Sequence, residues 1–171
     1  MDLKDYIRSI KDYPKKGILF RDITTLIKNE TAFEESINQI VERSKKFKID
    51  KIAAIESRGF VFASAVSYIL RKPFIMLRKK NKLPADVHSV NFELEYGTAT
   101  IEVHKDSISE NDSVLIIDDL IATGGTAEAA AKLVEISKGN IAAFIFVINL
   151  FDLGGCDNLI KKGYKVENLM D

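Results

Sequence analysis

The segment VLIIDDLIATGGT, running from Val114 to Thr126, constrains the fold more than any other part of the chain. Its four leading apolar residues, Val114 to Ile117, predict a strand buried on both faces, as in the middle of a parallel sheet. Asp118 and Asp119 follow at the carboxyl end of that strand. A small-residue loop comes next, Ala122, Thr123, Gly124, Gly125 and Thr126, and then an alanine-rich helix predicted from Ala127 to about Lys138 and stopped by Gly139. In an open α/β sheet the crevice beyond the strand carboxyl ends is where ligands bind.

The loop has the chemistry of a phosphate cradle. Gly124 and Gly125 lack a Cβ, so the backbone can take positive φ and bring its N–H groups close to an anion. Thr123 and Thr126 add hydroxyl donors, and the positive end of the following helix dipole points to the same place. No Lys follows the glycines and no G-x-G-x-x-G occurs, which excludes a nucleoside-triphosphate loop and a dinucleotide fingerprint. Two adjacent carboxylates repel a phosphate but accept hydrogen bonds well from vicinal hydroxyls. Carboxylates for a diol beside backbone amides for a phosphate describe a ribose 5-phosphate site. The plainer reading is a strand, a turn with aspartate caps and a helix, in which Asp119 satisfies backbone donors.

The 171 residues suit one domain with a sizeable core. Lys plus Arg and Asp plus Glu balance at 25 each, which gives no reason to expect a nucleic-acid partner. The longest apolar run, Ile141 to Ile148, is too short to span a bilayer, and the charged amino terminus does not resemble a secretory signal. A cytoplasmic protein without a membrane partner is expected. Cys156 is the single cysteine, so no internal disulfide can form, and with two distant histidines a structural zinc site is not expected.

Along the chain, residues 2–11 predict a short amphipathic helix. Ile18 to Ile23 follow a Pro and a Gly and read as a hood segment over the main sheet, with Arg21 and Asp22 solvated. Thr31 to Glu34 predict a capping box that opens a helix to about Lys46. Ile52 to Ile55 predict a strand, followed by a turn from Glu56 to Gly59 and a helix from Phe60 to about Leu70. Arg58 stands in this second donor-rich turn, which suits a substrate with two phosphate groups; the alternative is a surface salt bridge with Glu56. Pro73 to Leu77 predict another buried strand, and the four cations in Arg78 to Lys82 then face the crevice, where Arg can hold a pyrophosphate in bidentate fashion. Asn91 to Tyr96 and Thr98 to His104 predict a hairpin turning at Gly97, either a flap over the site or an insertion covering one sheet edge. His88 and His104 are expected on the surface. Ile141 to Ile148 predict a buried strand with Leu150 and Phe151 beyond its end, followed by a helix from Cys156 to Lys162 and an edge strand from Tyr164 to Leu169.

Four strings together resemble the adenine phosphoribosyltransferases, a branch of the type I phosphoribosyltransferase family, over roughly residues 10–165. They are VLIIDDLIATGGT, YPKKGILFRDI from Tyr13, IESRGF from Ile55, and RKKNKLP from Arg78 with its later LEYG from Leu94. The resemblance implies an α/β fold with a central, mainly parallel sheet flanked by helices. It would form a single domain over 1–171, with an amino-terminal hood of about 1–30 and a flexible β-hairpin flap of about 79–104. It further implies transfer of ribose 5-phosphate from phosphoribosyl pyrophosphate to adenine, giving AMP and pyrophosphate, with magnesium as cofactor and a homodimer as the assembly.

By that resemblance Asp118 and Asp119 bind the ribose hydroxyls, directly or through metal-bound water, and no residue ligates the metal directly. Ala122, Thr123, Gly124, Gly125 and Thr126 hold the 5-phosphate, and Ser57, Arg58 and Arg78 hold the pyrophosphate. Leu19 and Arg21 read the edge of adenine, Phe20 and Leu150 sandwich its faces, and Glu95 handles the proton near the purine nitrogens. Three positions depart from the family pattern: Lys16 stands where a second Pro is common, Phe92 where an aromatic hydroxyl is common, and Cys156 where a polar residue is expected. A 6-oxopurine enzyme would want a Lys near the base, and none occurs between Lys138 and Lys161. A non-catalytic sensor of phosphoribosyl pyrophosphate and a general sugar-phosphate-binding domain are the other readings.

Overall fold

A computed structural model of the chain describes residues 1–94 and 97–171. Nine strands and five α-helices alternate along the described residues. Five strands run parallel in the central sheet: β3 (Lys51–Ile55), β4 (Phe74–Lys79), β7 (Ser113–Ile121), β8 (Asn140–Asn149) and β9 (Val166–Met170). A hairpin of β5 (Val87–Glu93) and β6 (Thr98–His104) joins it antiparallel through β6 and β4, giving the order β5-β6-β4-β3-β7-β8-β9. The expected mainly parallel α/β sheet is therefore present. The hairpin continues the sheet at its edge, because Arg78 and Lys79 pair with Glu102 and Ile101. The same pairing keeps Arg78 and Lys79 within β4, where the sequence predicts a loop.

Helices cover both faces, and each face has its own core. On one side α1 (Thr24–Lys28), α2 (Glu30–Ser44) and α3 (Arg58–Leu70) bury Leu26, Ile40 and Phe62 against Ile52, Leu115 and Ile117. On the other, α4 (Gly125–Ile136) and α5 (Gly155–Lys161) bury Leu133, Ala130 and Leu159 against Ile116, Phe144 and Phe146. Strand β7 lies between the two cores, which is why its apolar residues run without alternation.

Several boundaries differ from the sequence expectation for identifiable reasons. Residues 2–11 form a 3₁₀ turn, Leu3–Tyr6, and then strand β1 (Arg8–Lys11), which pairs with β2 (Leu19–Asp22). A ten-residue helix is marginal alone, and here cross-strand pairing and an Arg8–Asp22 ion pair favour the extended chain. Helix α2 is capped by Asn29, whose Oδ1 accepts from the Ala32 N–H at 2.9 Å, and the expected box at Thr31 is not used. Helix α4 ends at Ile136, and Lys138, at φ +65°, makes the turn expected of Gly139. Strand β7 runs on to Ile121 because β8 pairs with it as far as Asn149, so both carboxylates lie inside the strand. His88 and His104 are half-buried, and His104 Nε2 accepts from the Ala85 N–H. The last helix and strand fall within two residues of their expected bounds.

Asp22 shows what holds the amino-terminal hairpin to the body. Its carboxylate accepts from the Thr24 hydroxyl and backbone N–H and from Arg8, and these bonds lower its pKa from the usual 3.8 to about 2. A depressed carboxyl pKa contributes stability above pH 3.8 that is lost as the pH falls through about 2. Asp22→Asn is therefore expected to lower unfolding stability by about 1–2 kcal/mol at pH 7. Urea unfolding at a series of pH values should show that difference closing between pH 4 and pH 2 (about).

Candidate active site

The carboxyl ends of β3, β4, β7 and β8 open on one side of the sheet, and two adjoining cavities lie there. The polar one, of about 400 Å³, is lined by Glu56, Ser57, Arg58, Lys79, Asp118, Asp119 and the loop from Ala122 to Thr126. The second, of about 1050 Å³, is lined by Leu19, Arg21, Glu93, Leu94, Asn149, Leu150 and Phe151, among others. Ala122, Thr123, Gly125 and Thr126 line both, so the small-residue loop is their common wall.

The loop is shaped by glycine where no other residue fits. Gly124 takes φ +94° just before α4 begins. Opposite it, a Cβ on Gly155 would lie 2.4 Å from the Ala122 carbonyl oxygen. That close approach lets the Gly155 N–H donate to the Ala122 oxygen at 3.1 Å, so the start of α5 props the loop from behind. The sequence expectation does not include Gly155 in the site; its one signal is the GG pair after β8. The Leu150 N–H donates to the Ile121 oxygen at 2.9 Å, which fixes Leu150 beside the end of β7.

The carboxylate pair is held asymmetrically. Asp119 is buried and receives the Arg58 Nε–H at 2.5 Å. Asp118 accepts from the Asp119 backbone N–H at 2.9 Å, while the nearby Arg58 donates to Asp119. Burial, and then the neighbouring Asp119 charge, push the Asp118 pKa well above the usual carboxylate range. The Arg58 cation is thus committed to Asp119 and not to Asp118.

Arg58 does not pair with Glu56. Glu56 takes Arg78 instead, with Nε and Nη2 at 3.3 and 3.4 Å, and accepts from the Lys79 N–H at 3.0 Å. The structure thus gathers Ser57, Arg58, Asp118, Asp119 and residues 122–126 around one cleft, and Leu19, Arg21 and Leu150 around the other. Arg78 stands at the rim on Glu56, with Lys79 as the cation of β4 that lines the cleft. Phe20 lies on the opposite strand face from Leu19 and Arg21 and packs edge-on against Tyr13, ring centroids 5.1 Å apart. Glu95 lies outside the described residues; Glu93 and Leu94, just before it, line the larger cavity.

Comparison with known proteins bears on the same residues. The phosphoribosyl transferase domain family matches residues 22–163. An adenine phosphoribosyltransferase of Pelagibacter ubique (strain HTCC1062) is 85% identical over 171 residues, covering 100% of this chain and 98% of that protein. The adenine phosphoribosyltransferase of Thermoanaerobacter pseudethanolicus superposes with a TM-score of 0.94 at 45% identity, over 98% of this chain and 96% of that one. The Saccharomyces cerevisiae enzyme, crystallised with an imino-altritol bisphosphate and adenine, superposes at 0.90 with 35% identity, over 98% and 96% of the two chains. With the fold, the cleft and these likenesses in agreement, the chain belongs to the phosphoribosyl transferase family, on its adenine phosphoribosyltransferase branch.

Proposed function

We propose that this chain transfers ribose 5-phosphate from phosphoribosyl pyrophosphate to adenine, releasing AMP and pyrophosphate. One observation carries the reading: the acidic pair and the Gly124–Gly125 loop border a polar cleft whose wall is shared with a larger cavity lined by Leu19, Leu150 and Phe151. A phosphosugar in the first and a base in the second would meet across residues 122–126.

In this reading Asp118 and Asp119 take the ribose hydroxyls, and Ala122, Thr123, Gly124, Gly125 and Thr126 hold the 5-phosphate with backbone and hydroxyl donors. Ser57, Arg58 and Arg78 hold the pyrophosphate. Leu19 and Arg21 read the edge of the base and Leu150 covers one face. Phe20 covers the other face only after leaving its packing against Tyr13. Glu95 takes up the proton that adenine loses when its ring nitrogen bonds to ribose C1.

Breaking the bond from C1 to pyrophosphate builds positive charge on the sugar and negative charge on the leaving oxygens. Preorganised cations and N–H groups stabilise the departing oxygens without reorganising during the step. Magnesium, which keeps several waters and binds substrate phosphates, would be held through phosphoribosyl pyrophosphate and water, with the Asp118 and Asp119 carboxylates able to accept from its bound water. Among the described residues no group of three or more His, Cys, Asp or Glu side chains is placed to cage a metal. When bound, magnesium would add positive charge beside the leaving phosphate oxygens. The β5–β6 hairpin, closing as a flap, would keep water from the sugar cation. Function as a homodimer in the cytoplasm completes the proposal; among the described residues no helix is long and apolar enough to cross a membrane.

The decisive assay offers adenine, hypoxanthine and guanine separately, with magnesium and phosphoribosyl pyrophosphate. AMP formed from adenine alone is the expected result. Turnover of hypoxanthine or guanine instead would overturn the roles of Leu19, Arg21 and Leu150, and binding without turnover would favour the sensor. Arg58→Ala is expected to lower kcat/KM for phosphoribosyl pyrophosphate by about a hundredfold or more, and Glu95→Ala to lower kcat with little change in KM.

Asp118 gives a prediction of opposite sign for stability and activity. Its raised pKa means that folding stability, fully present below the usual 3.8, falls as the pH rises towards the folded value. Asp118→Asn should therefore melt higher than the parent at pH 7 while turning over more slowly. Thermal melts should show the gain vanish below about pH 4; a variant less stable at neutral pH would contradict the account of the pair.

A further inference from the structure

The cleft contains a charge whose place the proposed reaction does not explain. Glu56, immediately after β3, lines the polar cavity with Ser57, Arg58 and Lys79. The Lys79 N–H, and after it Arg78, hold the Glu56 carboxyl below its ordinary pKa range, so it is ionised at neutral pH. A fixed negative charge beside a site for a multiply charged anion repels that anion, and a neutral side chain could accept the Lys79 N–H equally well.

Its geometry towards Arg78 supplies a reason. The guanidinium meets both Glu56 oxygens, but at 3.3 and 3.4 Å, against roughly 2.7–2.9 Å for a close charge-assisted bond. Among the described residues its one further hydrogen bond is a 3.5 Å approach of Nη1 to the Lys82 oxygen. Arg78 is therefore aimed by Glu56 without being saturated: among the described residues these contacts use three of its five N–H groups and leave two to be shared. Arg58 differs: its partner Asp119 belongs to the ribose pair and lies at 2.5 Å.

We propose that Glu56 is a positioning residue that aims Arg78 at the rim of the cleft and competes with the departing pyrophosphate for its guanidinium, limiting how tightly that product is held. The inference rests on the pyrophosphate reading given above. As the product leaves, the guanidinium fork closes back on Glu56, so departure never strands an unpaired cation. No covalent bond or proton moves in this exchange.

Calorimetric titration with magnesium pyrophosphate tests it on the wild type, Glu56→Gln, Glu56→Asp, Arg78→Gln and the Glu56→Gln/Arg78→Gln double variant. Glutamine keeps the size and the acceptor for the Lys79 N–H but removes the charge. Glu56→Gln should bind pyrophosphate about fivefold more tightly, and product inhibition should strengthen by the same factor. Glu56→Asp, which restores the charge, should stay within about twofold of wild type. In the Arg78→Gln background the effect of Glu56→Gln should shrink to the smaller part that comes from direct repulsion of the anion. A purely structural role for Glu56 would weaken binding in both Glu56 variants. Unchanged or weaker binding by Glu56→Gln, or equal tightening without Arg78, overturns the proposal and leaves the cleft reading standing. A wild-type protein that binds no pyrophosphate overturns both.

Discussion

The site depends on how closely α3 approaches β7. A Cβ at Gly59 would lie 2.8 Å from Asp118 Oδ1 and 3.1 Å from the Ile117 oxygen, so the first turn of the helix can rest on the strand only if that residue is glycine. This contact carries Arg58 to Asp119 and sets Ser57 on the cleft wall. It also shuts water away from one side of Asp118, which is why burial leads among the causes of its raised pKa. A larger residue at position 59 would push the helix outward and separate the cation from the carboxylates together.

Charge is distributed across the strand order. Arg58, at the start of the helix after β3, reaches across to Asp119 on β7, and Arg78 on β4 reaches back to Glu56 after β3. Each of these two arginines is paired with an acid from a neighbouring segment, so neither guanidinium enters the cleft without a counter-charge. Under the proposed reading a substrate carrying a diol and phosphates can take both partners of such pairs, the hydroxyls going to the acid and the phosphate to the cation. Binding then exchanges existing interactions for new ones, and the donors are already in position when charge develops.

Much of this was legible in the chain because the informative residues are contiguous. The buried strand, the two carboxylates, the paired glycines and the following helix occupy thirteen neighbouring positions, from Val114 to Thr126, and local geometry alone brings them together. The amino-terminal segment departs from its local helical pattern because its outcome rests on a partner elsewhere. Residues 8–11 extend because β2 and Asp22 receive them, and no local pattern encodes that. Asn29 displaced Thr31 as a cap because α1 ends beside it, leaving its side chain free to turn towards Ala32.

By itself the sequence determined the apolar strands, the phosphate-type loop and the identity of the charged residues near the strand ends, since these follow from composition and spacing along one stretch. Only the tertiary structure decided which acid meets which cation, that burial raises the pKa of Asp118, and that Gly155 props the loop from a helix roughly thirty residues away. Those outcomes depend on the parallel register of β3, β4, β7 and β8, which places side chains distant in sequence within hydrogen-bond reach. Pairing energies fall steeply with distance, so a register fixed by two buried cores settles the electrostatics of a cleft that the linear order of residues leaves open.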